Sequence, residues 1–306
     1  MQGKMDRRSF IKFTGIGGVV FASGLGFEVM AAEKSRKSHP IYKDFFFAQL
    51  SDTHWGFNGP LINPHADQTL AKAIDSINNL KPQPDFIVFT GDLTHTTDDP
   101  QERRRRMQEF KELVNQLRVK NIKFLPGEHD ASLDKGQAYQ EFFGDLHYSF
   151  DHKGIHFIAL DNVSDPAAMI GVAQLDWLKA DLEQLHPDAP IVVLTHRPLF
   201  DLYPQWDWST RDGQAVINLL LPFSNVAVFY GHIHQEHLYA TEHIIHYAAK
   251  SLIFPLPAPG LAPKRAPIPW NVNKPYAGLG YRSIESYPQK KTYSIDEKSI
   301  APGELI

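Results

Sequence analysis

Short apolar runs recur along this chain, and five of them are followed within a few residues by an Asp or His side chain. These runs are Phe45–Leu50, Phe86–Thr90, Ile122–Leu125, Ile191–Leu194 and Val226–Tyr230. The segments between them are amphipathic, and the clearest one repeats apolar residues at helical spacing from Met107 to Leu117. Apolar strands that alternate with amphipathic helices predict an α/β domain in which helices cover the strands.

The side chains that follow the five runs form a set with a shared chemistry. Polar groups at the carboxyl ends of strands collect at one edge of an α/β sheet, so we expect these to meet. The set contains three carboxylates and four imidazoles, namely Asp52, Asp92, Glu128, His54, His196, His232 and His234. The chain has no cysteine, which excludes thiolate-held zinc, iron–sulfur clusters and a thiol nucleophile. Oxygen and imidazole ligands in this number can hold two metal ions bridged by a shared carboxylate.

The order of the motifs resembles the signature of the calcineurin-like metallophosphoesterases. Asp-x-His, Gly-Asp, Gly-x-His-Asp, a single His and Gly-His-x-His follow one another between Phe45 and Tyr247. The resemblance implies an α/β fold of four αββα layers, in which helices flank two mixed β-sheets. It assigns residues 45–254 to a metallophosphoesterase domain.

The resemblance also implies two divalent or trivalent metal ions, with Mn, Fe and Zn as the candidate elements. It assigns one ion to Asp52, His54, Asp92 and His234. It assigns the other ion to Asp92, Glu128, His196 and His232, so that Asp92 bridges the pair. The implied reaction is hydrolysis of a small phosphate ester by attack of a metal-bound hydroxide. His129 matches the residue that protonates the leaving group, and Asp130 is expected to orient His129.

Glu128 departs from the family pattern, which usually has Asn at this position. A carboxylate is a competent ligand for the candidate metals and adds one negative charge to the site. We expect this charge to tighten metal binding and to lower the Lewis acidity of the metal. An exported metal-binding protein with a degenerate, non-catalytic site is therefore the alternative function. A third possibility, an exported oxidoreductase, has no recognisable cofactor motif in the sequence.

Several features leave the substrate open. Arg197 could hold a phosphate oxygen or could form a salt bridge at a strand end. Aromatic residues in the segment Leu199–Arg211 could line a pocket or could pack as the core of a loop. Monoesters, diesters, cyclic nucleotides and pyrophosphates all fit the motifs.

The first 32 residues resemble a twin-arginine signal peptide. Arg7-Arg8 precede a Phe-Ile step and Lys12, then an uncharged Gly-rich segment, and small residues at Ala31 and Ala32. The apolar part is too short to span a bilayer, so we expect no stable membrane insertion. The expected route is export by the twin-arginine translocase to the periplasm or the medium, with a polar linker over residues 33–44.

The net charge and the distribution of prolines give two further expectations. Residues 1–32 contribute +2 to the net charge of −4, which leaves −6 for the remainder. That sign argues against sequence-independent binding of nucleic acid, which depends on positive charge. Nine of the 22 prolines lie from Pro255 onward, so we expect residues 255–306 to form an irregular Pro-rich tail packed on the domain.

Overall fold

The computed structural model describes residues 44–301, so the predicted signal segment and nearly all of the linker lie outside the described residues. The strands are β1 (Phe45–Leu50), β2 (Phe86–Thr90), β3 (Ile122–Leu125), β4 (Tyr148–His152), β5 (Ile155–Ala159), β6 (Ile191–Leu194), β7 (Val226–Tyr230), β8 (His237–Thr241), β9 (Ile244–Ala248), β10 (Gly280–Tyr287) and β11 (Thr292–Ser299). The helices are α1 (Thr69–Asn78), α2 (Pro100–Val114), α3 (Glu128–Ala131), α4 (Gln137–Phe143), α5 (Val172–Leu182) and α6 (Gly213–Leu220). None of the helices in this part of the chain has the length and apolar character needed to cross a membrane.

The strands form two mixed sheets. The first sheet has the order β11-β10-β1-β2-β3, in which β1, β2 and β3 are parallel and β10 runs antiparallel to β1. The second sheet has the order β4-β5-β6-β7-β9-β8, with a parallel centre from β5 to β9 and an antiparallel strand at each edge.

Aromatic side chains fill the space between the two sheets. Phe47 and Phe86 of the first sheet stack with ring centroids 4.8 Å apart, and Phe157 and Phe229 of the second sheet meet Phe47 edge to face. The opposite face of the first sheet packs on α1, α2 and α4, and that of the second sheet packs on α5 and α6. The four-layer αββα sandwich predicted from the sequence is confirmed.

The parallel strands end at one edge of the molecule, where the two sheets are linked. The N–H of Asp52 after β1 donates to the carbonyl of Gly91 after β2, at 3.0 Å. The N–H of Gly231 after β7 donates to the carbonyl of His196 after β6, also at 3.0 Å. Across the sheets, the N–H of His232 donates to both carboxylate oxygens of Asp52, at 3.1 and 3.2 Å. The loops after these four strands therefore form one connected surface.

The C-terminal part of the chain corrects the prediction of an irregular tail. Residues 255–279 contain no strand or helix, but β10 and β11 form a hairpin that completes the first sheet. Strand β10 lies beside β1 along Phe45–Gln49, so the C-terminal segment is an integral layer of the domain. The apolar runs in the sequence gave no sign of β8.

Candidate metal centre

Five of the candidate ligand residues at the strand ends have a left-handed backbone conformation. They are Asp52, His54, Asp92, His232 and His234, with φ between 42° and 65°. Each non-glycine residue in this region costs about 1–3 kcal/mol, and such strain persists where the surrounding structure fixes the conformation, often at functional sites. Backbone bonds such as that from the His54 N–H to the Asp92 carbonyl, at 2.8 Å, hold these turns in place.

Two glycines allow the loops to approach one another closely. A Cβ atom on Gly127 would overlap the backbone nitrogen and carboxylate of Asp92. A Cβ atom on Gly231 would overlap the hydroxyl of Ser51 and crowd the carboxylate of Asp52. Both positions therefore require glycine, because a side chain would collide with the neighbouring loop. Gly127 lies where the loop after β3 meets the loop after β2, and Gly231 lies where the loop after β7 meets the loop after β1.

Three groups of side chains among the described residues could hold a metal ion. Asp52, His54 and His234 form the first cluster, and His54, His95 and His129 form a neighbouring group that shares His54. Nε2 of His234 lies 3.3 Å from Oδ1 of Asp52 and 3.3 Å from Nε2 of His54. All three side chains are buried. The arrangement turns one oxygen and two nitrogens toward a common point.

Asp92, Glu128, His196 and His232 form the second cluster. Oε2 of Glu128 lies 2.9 Å from Nε2 of His196, and its Oε1 lies 3.0 Å from Nδ1 of His232. Oδ2 of Asp92 lies 3.4 Å from Nε2 of His196 and also 3.4 Å from Nε2 of His54 in the first cluster. A single carboxylate oxygen therefore faces both clusters.

Backbone carbonyls fix the protonation of three of the four imidazoles. His196 Nδ1 bonds to the Thr90 carbonyl at 2.7 Å, and His234 Nδ1 bonds to the Phe254 carbonyl at 2.7 Å. His232 Nε2 bonds to the Asp207 carbonyl at 3.0 Å. A carbonyl can only accept, so the nitrogen that faces it carries the proton and the opposite nitrogen of a neutral ring keeps a lone pair. In each ring that second nitrogen faces the cluster, as in histidines that bind metals.

The donor set fits the metal ions that the sequence implies. His196 Nε2, His232 Nδ1 and Glu128 Oε2 are buried and have no hydrogen-bond partner. Buried polar atoms are rarely left unpaired in folded proteins, so these three require an explanation. Imidazole nitrogens and carboxylate oxygens without a thiolate are suitable ligands for Mn, Fe and Zn.

His129 lies beside the first cluster, and its partner is not the one predicted. The rings of His129 and His54 are 4.6 Å apart, and His129 Nδ1 lies 2.6 Å from the Thr96 hydroxyl. The expectation that Asp130 orients His129 is wrong. Both oxygens of Asp130 accept hydrogen bonds from the loops after β2 and β3, namely from Leu93 N, Thr94 N, Thr94 Oγ1 and Gly127 N. Asp130 therefore ties these two loops together.

His95 and Asp207 contact the clusters, although the sequence analysis did not select them. Nδ1 of His95 lies 3.2 Å from Nδ1 of His54, and burial, with the neighbouring His129, lowers the pKa of His95 to about 4. The signal available for His95 was its position three residues after Asp92 in the same loop. Asp207 lies in a segment between β6 and α6 that the sequence analysis singled out only for its aromatic residues, so nothing in the sequence pointed to its carbonyl.

Arg197 forms a salt bridge at the strand end, as one of the two interpretations predicted. Its Nη2 lies 2.7 Å from Oδ2 of Asp207, and only 6% of its side chain is exposed. In the adjacent aromatic segment, Trp206 and Trp208 are 6% and 0% exposed and pack against Tyr230, so they form the core of the loop.

A cavity of about 500 Å³ lies against the first cluster. The loop between β1 and α1 supplies most of its wall, which includes His54, Trp55, Phe57, Asn63 and Ile253. The wall is both apolar and polar, as in sites that bind small molecules.

Comparison with known proteins places this site in a family. A family model described as calcineurin-like phosphoesterase matches residues 47–236, which include both clusters. The probable glycerophosphodiester phosphodiesterase GpdQ of Arcobacter nitrofigilis is 31% identical over 161 residues, 49% of this chain and 56% of that protein. A probable cyclic nucleotide phosphodiesterase of Rhodococcus erythropolis is 29% identical over 221 residues, 67% of this chain and 68% of that protein. The chain thus spans little more than half the length of the first relative.

A solved structure agrees at the level of the fold. A dimetal phosphatase from Danio rerio superposes with a TM-score of 0.61 at 12% identity, covering 86% of this chain and 97% of that one. The family model covers more than half of the chain and contains the whole candidate metal centre, and the chain therefore belongs to the calcineurin-like phosphoesterase family.

Proposed function

We propose that the protein hydrolyses a small phosphate ester with two metal ions held by the two clusters. The observation that carries this proposal is the position of Asp92, whose Oδ2 lies 3.4 Å from a ring nitrogen in each cluster. A carboxylate placed in this way can bridge two ions, as in other two-metal hydrolytic sites. When bound, such ions lower the pKa of a water molecule and neutralise charge on the phosphoryl oxygens.

The chain's own residues supply the remaining functions. His54 and His234, with Asp52, would hold the ion of the first cluster, and His196 and His232, with Glu128, would hold that of the second. His129 lies next to the first cluster and would donate a proton from Nε2 to the departing alcohol, a step typically worth about 10²–10⁴ in rate. The cavity beside His54 would hold the alcohol part of the ester. The names of the relatives support diesters as the first substrates to test.

Metal analysis combined with hydrolysis assays tests the proposal. Apo-protein reloaded with Mn²⁺ should bind two ions and hydrolyse p-nitrophenyl phosphate or bis(p-nitrophenyl) phosphate. Asp92→Asn should lose bound metal and reduce hydrolysis at least about a hundredfold, because one change removes charge from both clusters. The matched control is Asp75→Asn, since Asp75 is exposed on α1. Activity of Asp92→Asn close to that of the parent would contradict the bridging role.

Metal binding without turnover is the competing function, and Glu128 favours it. A second carboxylate beside Asp92 raises the negative charge that an anionic substrate meets. This alternative predicts stoichiometric metal binding and no hydrolysis of either nitrophenyl ester. A hydrolysis assay on the metal-loaded protein therefore distinguishes the two functions.

Export through the twin-arginine translocase is the proposed route to the periplasm or the medium. The support is the Arg7-Arg8 motif and the small residues at Ala31 and Ala32. That route carries folded proteins, which suits a centre that receives its metal in the cytoplasm. Replacing both arginines by lysine should retain the precursor in the cytoplasm, and normal appearance of the mature form in the periplasm or the medium would contradict the proposal.

A further inference from the structure

The second cluster contains two carboxylates where the family pattern has one carboxylate and one amide. Glu128 contacts His196 at 2.9 Å and His232 at 3.0 Å, and 16% of its side chain is exposed. A second buried negative charge next to Asp92 is unfavourable unless a positive group lies nearby. Imidazoles that hold a metal ion are neutral, so His196 and His232 add no positive charge of their own once the ion is bound.

Arg197 supplies a positive charge at this point. Its Nε lies 3.8 Å from Oε2 of Glu128, and neither atom has a hydrogen-bond partner. A guanidinium stays ionised at any physiological pH, so its charge does not depend on the protonation of the cluster. Arg197 is the residue that directly follows the ligand His196, and its position is therefore fixed by the same strand end.

Asp207 holds Arg197 and the cluster together. Its carboxylate pairs with Nη2 of Arg197 at 2.7 Å, and its backbone carbonyl accepts from Nη1 of Arg197 at 3.0 Å. The same carbonyl accepts from Nε2 of His232 at 3.0 Å. Asp207 has a left-handed backbone with φ of 64°. One loop residue therefore fixes both the guanidinium and the imidazole of the second cluster.

We infer that Arg197 is a charge-compensating and positioning residue, which balances the additional carboxylate of Glu128 and is held in place by Asp207. The side chain of Asp207 is 58% exposed, so solvent screens its charge. The buried pair of Glu128 and Arg197 then carries no net charge, like the neutral amide that the family has at position 128. A phosphate anion would meet the charge of an ordinary two-metal site despite the acidic substitution. This inference rests on the proposed function, because it concerns the metal that Glu128 would bind.

The inference makes Arg197 a neighbour of the metal site rather than a ligand of the substrate. Both terminal nitrogens of the guanidinium bond Asp207, and Nε, which has no hydrogen-bond partner, faces Oε2 of Glu128. Charge compensation and direct phosphate binding predict different outcomes when Glu128 and Arg197 are changed together. The two roles can thus be separated by experiment.

The test compares Glu128→Gln, Arg197→Gln and the double variant with the parent protein. Binding of Mn²⁺ to the full-length apo-protein is measured by calorimetry, and binding of inorganic phosphate is then measured on the metal-loaded proteins. Arg197→Gln should raise Mn²⁺ affinity about tenfold and weaken phosphate binding about tenfold, because it leaves one excess negative charge. Glu128→Gln should shift both affinities in the opposite direction, and the double variant should return both to within about threefold of the parent.

Three outcomes would overturn the inference. Loss of phosphate binding in both Arg197→Gln and the double variant would show direct contact with the anion. Unchanged affinities in Arg197→Gln, together with a lower Tm, would show a purely structural salt bridge. Arg197→Lys keeps the charge and should shift both affinities less than Arg197→Gln, so equal shifts in these two variants would also contradict compensation. A parent protein that binds no Mn²⁺ would instead contradict the proposed function itself.

Discussion

Thr96 and His129 are joined by two hydrogen bonds at a single ring nitrogen. The Thr96 hydroxyl lies 2.6 Å from Nδ1 of His129, and the Thr96 backbone N–H donates to the same nitrogen at 3.3 Å. Because a backbone N–H can only donate, Nδ1 acts as the acceptor, and the proton of the neutral ring lies on Nε2. Thr96 therefore fixes the orientation of the His129 ring and places the proton of the neutral ring on Nε2.

Removal of the Thr96 hydroxyl should slow hydrolysis without removing metal. We predict that Thr96→Val lowers kcat about tenfold, since the ring loses the hydrogen bond that orients it. Thr96→Ser keeps the hydroxyl and should stay within about twofold of the parent. Steady-state kinetics and metal analysis on the same samples check this. Equal losses in the Val and Ser variants would show that packing, rather than the hydrogen bond, is what matters.

The role of His129 as a proton donor predicts a dependence on the leaving group. His129→Ala should reduce hydrolysis of an alkyl phosphate ester about 10²–10⁴-fold and reduce hydrolysis of a nitrophenyl ester much less. Nitrophenolate departs without protonation, whereas an alkoxide does not. A similar loss for both esters would identify His129 as a phosphate-binding group instead, and loss of metal would identify it as a ligand.

The contact between His95 and His54 predicts an effect on one cluster only. Nδ1 of His95 is 3.2 Å from Nδ1 of His54, so His95 can fix the orientation of the ring whose Nε2 faces Asp92. Groups that orient a metal ligand typically contribute about 10–100-fold to metal affinity. We predict that His95→Phe weakens the first Mn²⁺ site by about this factor and spares the second. His65→Ala is the control because His65 is exposed, and equal weakening of both sites would argue against a local contact.

The strand-end motifs could be predicted from the sequence because two local signals coincide there. The apolar residues 86–89 mark a strand that is covered on both faces, and the following Gly91-Asp92 marks its end. Parallel strands then bring these ends together whatever the intervening segments contain. Neither signal depends on knowing which distant residues are in contact.

The two C-terminal strands could not be predicted in the same way. Strand β10 buries Arg282, Ser283 and Ser286 within the first sheet, and Arg282 pairs with Glu297 of β11. A strand with buried polar residues gives no apolar run in the sequence, and the nearby prolines suggested irregular structure. Only the pairing with β1 identifies this segment as a sheet strand.

The partners of individual side chains depend on tertiary contacts as well. Asp130 follows His129 directly in the chain, and this adjacency suggested a catalytic pair. Within the fold, its carboxylate faces the N–H groups of Leu93, Thr94 and Gly127, because α3 turns it away from the imidazole. The carbonyl of Asp207 reaches His232 for a similar reason, through a loop whose course no local pattern specifies.

His246 on β9 is a buried histidine that lies outside the candidate metal centre. Its side chain is completely buried, and neither ring nitrogen has a hydrogen-bond partner. The ring contacts Phe200 edge to face, with centroids 5.1 Å apart. Burial lowers the pKa of His246 from 6.5 to about 4, because the apolar surroundings disfavour the charged ring.

This pKa shift predicts that part of the acid sensitivity of the fold comes from His246. Between pH 6.5 and about 4 the unfolded chain takes up a proton at this residue and the folded chain does not, so the free energy of unfolding falls as the pH falls. The full effect would be about 3 kcal/mol at 1.36 kcal/mol per pH unit, and it is absent above pH 6.5. We predict that lowering the pH from 6.5 to about 4 reduces the free energy of unfolding less in His246→Leu than in the parent. Denaturant unfolding in EDTA measures this difference. The control is His186→Gln, since 78% of the His186 side chain is exposed, and it should follow the parent. Parallel curves for the parent and His246→Leu would show that other groups cause the acid sensitivity.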